Sequence, residues 1–118
     1  MRALAMLLAL TAPAAAQEPP AFDAAPVDAC LAANAGDEGR PDTCIGLAAN
    51  ACMDEPGGSS TVGMGYCLSQ ELDHWDGLLN AAYRDVMASA RQADAELAEL
   101  GSAAEKQEPA LREMQRRW

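Results

Sequence analysis

The sequence predicts an all-α fold: a small, disulfide-stapled helical domain with one long helix packed against an antiparallel C-terminal helix. Residues 66–100 contain no proline and a single glycine, Gly77. Within that run Leu68, Leu72, Trp75, Leu79, Ala82, Val86, Ala90, Ala93, Leu97 and Leu100 recur at steps of three and four. That period lines side chains along one side of an α-helix. Of four cysteines, Cys30, Cys44 and Cys52 stand in the shorter helical segments before it and Cys67 at its start.

Residues 1–16 read as a signal peptide. Arg2 supplies the positive start, Ala3 to Leu10 the apolar core, and Ala14-Ala15-Ala16 the small-residue cleavage site. The apolar stretch is shorter than the roughly 20 residues that span a bilayer, so no stable membrane insertion is expected once it is removed. Residues 17–25 (QEPPAFDAA) read as a flexible, proline-rich leader. Residues 26–118 then form one helical domain. The formal charge is −10, and removal of Arg2 with the signal makes the mature chain one unit more negative. Such a field repels nucleic acid and attracts cationic partners.

Half the residues are hydrophobic, yet 27 are alanine, which favours helix but buries little area. A domain so short of bulky side chains gains from covalent staples. The first helix is expected over Val27 to Asn34, with Pro26 in its opening turn. A second opens at Pro41 and runs to about Met53, carrying Cys44 and Cys52. The loop Asp54 to Gly63 is dense in turn formers and reads as a connector. Ser60 or Thr61 caps the long helix. Gly101 closes it in the left-handed conformation. A helix of this length is expected to bend near Ser89 to Ala95. Residues 102–107 form a turn, with Pro109 in the first turn of the last helix.

Eight residues apart on one helix, Cys44 and Cys52 stand about 12 Å from each other, too far for a bridge. Two pairings are left. The local one, Cys30–Cys44 with Cys52–Cys67, joins neighbouring helices across short loops and is expected; the crossed one, Cys30–Cys52 with Cys44–Cys67, is the alternative. No C-x₂₋₄-C pair suggests zinc and no C-x-x-C suggests redox work, so the cysteines are structural.

His74, the single histidine, sits among Glu71, Asp73 and Asp76. One histidine and one carboxylate a turn away give at most two metal ligands, so an exposed charged face is expected. No serine lies in a nucleophile context and no glycine-rich phosphate loop precedes a lysine. No enzyme chemistry and no cofactor are implied. Asp76, Leu79, Asn80 and Tyr83 share one helical face. Buried Asn80 and Tyr83 would need polar partners, and Gln115 and Trp118 of the last helix are placed to supply them.

Asp76-x-x-Leu79-Asn80-x-x-Tyr83, followed by Leu111-x-x-x-Gln115-x-x-Trp118, resembles the LprI-type lysozyme-inhibitor family. Cys52-Met53 and Cys67 also resemble that family's cysteine positions, and the likeness covers about residues 44–118. It implies a periplasmic or secreted α-helical protein. The implied function is lysozyme-inhibitor-like binding by stoichiometric protein–protein contact with a cationic lysozyme-type enzyme. The alternative is a non-enzymatic structural or interaction module of the envelope with an unrelated partner. Family members continue past the tryptophan into an arginine and a further cysteine, so the resemblance implies a chain truncated at its C-terminus. The motif residues look structural in the family and carry no inhibitory site. Candidate contact regions are the Asp54 to Gly63 loop and the acidic face around Glu71 and Asp73.

Overall fold

The computed structural model describes residues 18–117; the expected signal segment and the motif residue Trp118 lie outside the described residues. The described chain contains α1 (Ala25–Ala33), a 3-10 turn (Pro41–Cys44), α2 (Leu47–Asp54), α3 (Thr61–Glu99) and α4 (Gln107–Arg117), and no strand. Pro26 sits in the first turn of α1, where its missing N–H is no loss. Asn34 closes that helix by donating its backbone N–H to the carbonyls of Cys30 and Leu31.

The helix opened by Pro41 does not run on to Met53. It ends as one 3-10 turn at Cys44, Ile45 is extended, and Gly46 takes a left-handed φ of 90° before α2 begins. Cys44 and Cys52 therefore stand on separate elements, which removes the stated ground for excluding a bridge between them. The local pairing nevertheless holds. Cys30 bonds Cys44 and Cys52 bonds Cys67, each with a Cα–Cα distance of 5.6 Å. The first bridge ties α1 to the 3-10 turn, the second ties α2 to α3. Val27, Cys44, Ala48, Ala49, Cys52 and Cys67 form the buried centre. It is a core of half-cystines and alanines, with bulk replaced by cross-links. Pro20, within the stretch expected to be flexible, is buried; Pro19 and Pro20 line a groove with Gly57, Val62 and Tyr66.

Ser60 caps α3, accepting the Gly63 N–H at 3.0 Å. Gly63 is needed for close approach: a Cβ there would lie 2.0 Å from the Gly57 carbonyl oxygen. From Thr61 the helix runs 39 residues without interruption, including the stretch where a bend was expected. That is about 58 Å at 1.5 Å per residue. Gly101, φ 68°, ends it, with Ser102 N–H bonded to Leu97 O.

α4 packs back antiparallel. The Asp94 carboxylate accepts the N–H groups of Gln107 at 2.7 Å and Glu108 at 3.0 Å. Arg91 then reaches Glu108 at 2.9 Å, and Arg112, further along α4, lines one cavity with Met87 and Tyr83. Partners on α3 move toward its N-terminus as α4 proceeds.

The apolar row read from the sequence meets the core of α3 only at Ala90. Leu68, Leu72, Leu79 and Val86 are 56, 67, 55 and 50% exposed. The buried residues are Gly63, Cys67 and Glu71 in the first half and Met87 and Ala90 in the second. At 3.6 residues per turn these two groups fall on nearly opposite sides of the helix. The first half packs on α2 where the Cys52–Cys67 bridge holds it, and the second on α4. The leucine row runs between the two packed sides.

Candidate functional site

Glu71 was expected on an acidic surface; it is 4% exposed. Its carboxylate accepts the N–H of Gly46 at 2.5 Å, of Ala49 at 2.6 Å and of the Trp75 indole at 3.0 Å. Two of those donors are orphan amides at the start of α2, so Glu71 caps that helix from across the domain. Burial pushes the carboxyl pKa up. Hydrogen bonds from the Trp75 indole and the Ala49, Gly46 and Ala48 amides together outweigh burial and hold it below the usual range. Hydrophobic periodicity could not flag a carboxylate here. The usable signal was Cys67: a bridged cysteine marks the buried side, and Glu71 lies one turn further along it.

His74 lies on that side too. Its Nε2 is 2.7 Å from Asp28 Oδ1, and it is the less exposed member of the pair. The pair joins α1 to α3, a packing role in place of the solvated face expected. Among the described residues no group of three His, Cys, Asp or Glu side chains could hold a metal ion.

The motif residues divide. Asn80 is exposed and donates Nδ2 to Asp76 Oδ2 at 2.9 Å, so its partner is one turn back on its own helix. Leu79 is exposed, as is Gln115. The expected burial of Asn80 against Gln115 does not occur. Tyr83 is half-buried and borders an open cavity of about 470 Å³ with Arg84, Met87, Arg91 and Arg112. Arg91 and Arg112 are both held by Glu108, at 2.9 and 2.6 Å. The structure thus brings Tyr83 to α4 and leaves Asp76, Leu79 and Asn80 on the outer surface.

The loop following Asp54 is folded onto the start of α3. Gly58 is buried, and Ser60 Oγ donates to Gly57 O at 2.8 Å. Charge separates the molecule more sharply than any loop does. Residues 18–83 hold eleven carboxylates and one Lys or Arg, Arg40, which is itself paired with Asp42 at 2.9 Å. Residues 84–117 hold seven carboxylates and six cations. The net negative charge belongs to the disulfide-bonded half. There Ile45, 68% exposed, joins Leu68, Leu72 and Trp75 around a groove of about 190 Å³. Among the described residues no helix is long and apolar enough to cross a membrane.

No curated protein and no solved structure matches the chain. A family model, lysozyme inhibitor LprI, matches residues 52–118, from the α2 half-cystine through α3 and α4. That is more than half of the sequence, and the chain belongs to the lysozyme inhibitor LprI family.

Proposed function

We propose that this protein is an exported lysozyme inhibitor that acts by stoichiometric contact with a cationic lysozyme-type enzyme. The observation that carries the reading is the family match over residues 52–118. Two disulfides suit an oxidising compartment outside the cytoplasm, and the signal-like residues 1–16 agree with export. The concentration of negative charge in residues 18–83 gives a basic enzyme a target for electrostatic steering. The described side chains contribute binding surface to this reading and no reaction chemistry.

The test is a lysozyme–cell-wall turbidity assay with the oxidised mature protein. At about 0.15 M salt the screening length is about 8 Å, so weak attraction between distant charges is suppressed. Stoichiometric loss of lysis is expected. Absence of inhibition would remove the inhibitor reading.

A further inference from the structure

We propose that the exposed apolar row of α3, Leu68, Leu72 and Leu79 with Ile45 beside it, is the surface that docks a strongly basic protein. The partner it fits presents an apolar side chain ringed by lysine or arginine. Resting on the inhibitor reading, this deepens it by naming the inhibitory face.

Leu68, Leu72, Trp75, Leu79, Ala82 and Val86 follow one another at steps of four and three. This is the spacing of a coiled-coil seam, the pattern by which a helix presents side chains to something laid along it. Neither packed side of α3 covers the row, and its four aliphatic members are half exposed or more. A contiguous uncovered row of this kind marks an interaction surface more than isolated exposed leucines do. Ile45 widens it from the extended residue after the 3-10 turn, and the groove between Ile45, Leu68, Leu72 and Trp75 can accept one apolar side chain. A packed apolar centre with a charged rim is the arrangement that concentrates binding energy in protein interfaces.

Charge decides the occupant. The row's first part lies in the half of the molecule where eleven carboxylates face a single arginine. Asp76 and Asp85, next to Trp75 and Val86 in sequence, flank the row on its two sides. Arg84 stands next to Asp85, so of the two only Asp76 has no lysine or arginine beside it. Two copies joined along this seam would still bring their strongly negative halves together, a costly pairing. A basic surface meets the same rims with opposite charge.

The experiment compares wild type, Leu68→Ser/Leu72→Ser and, as a control on the other half, Met114→Ser. All three substituted residues are exposed, and circular dichroism verifies that the variants stay folded. Each protein is titrated against a cationic lysozyme and against a synthetic amphipathic Leu/Lys helix peptide. Its own mass is followed by sedimentation. The double variant should lose about tenfold or more in affinity for both probes, with Met114→Ser within about twofold of wild type. Undiminished lysozyme inhibition by the double variant would overturn the inference and leave the inhibitor reading standing. Seam-dependent binding of the peptide without any binding of lysozyme would sustain the surface and remove the inhibitor reading. A wild-type dimer that the double variant dissolves would overturn the inference in favour of a second copy. Binding of neither probe would overturn surface and inhibitor reading together.

Discussion

Replacing Glu71 by alanine strips the acceptor from the Gly46 and Ala49 amides and the Trp75 indole in one step. Hydrogen bonds to a buried charge contribute about 1.5–3 kcal/mol each before compensation, so a loss near 3 kcal/mol is expected by urea unfolding. Glutamine keeps one carbonyl oxygen and should cost less, about 1–2 kcal/mol. The charge also sets a pH dependence. The folded carboxyl is held below the value of 4.5 that a free glutamate shows. Its contribution is therefore complete above that value and is lost as pH falls through the folded pKa. Wild type should lose stability on acidification below about pH 4.5, and Glu71→Gln should show a shallower decline. An equal decline in both would assign the acid sensitivity to other carboxylates.

At the level of elements, α4 hangs on Asp94. Its pKa is lowered by the Glu108 and Gln107 N–H groups it accepts, an N-cap supplied by the neighbouring helix. Asp94→Ala should abolish hydrogen-exchange protection at the α4 start while leaving α2 amides protected. Gly63→Ala would push a methyl into the Gly57 carbonyl and should cost about 1–3 kcal/mol, visible as a lower unfolding midpoint. The outline of these elements was legible in the sequence because caps are local: Ser60, Gly101 and the Pro109 turn all act within a few residues. The break at Gly46 was not, since Pro41 and an alanine-rich stretch read as one helix. Nor was the buried side of α3. Periodicity follows bulk, and the first half of this helix buries a glycine, a half-cystine and a carboxylate while Leu68, Leu72 and Leu79 stay exposed; of the expected row only Ala90 is buried. Of the family motif, Tyr83 borders a cavity that α4 also lines through Arg112; Asn80 satisfies its amide on its own helix, which spacing alone cannot distinguish.

For the whole molecule, both disulfides fall within residues 30–67. Bridges closing loops of this size contribute about 3 kcal/mol each in the chain-entropy model. Reduction should therefore release α1 and α2, with a fall in helical circular dichroism smaller than full unfolding produces and with α4 amides still protected. Simultaneous loss at both ends would refute that separation. The geometry of α3 is the reason to expect it. A helix that packs on one side near its start and on the nearly opposite side near its end behaves as a strut between two small bodies, with little shared interior to make them melt together. Cooperativity must pass along the backbone hydrogen bonds of a single helix around Ala82 and Val86. Heat should then produce two transitions, the hairpin of α3 and α4 opening first and the cross-linked half later. A partner laid along the outer row would bridge that midpoint and fuse the two transitions into one.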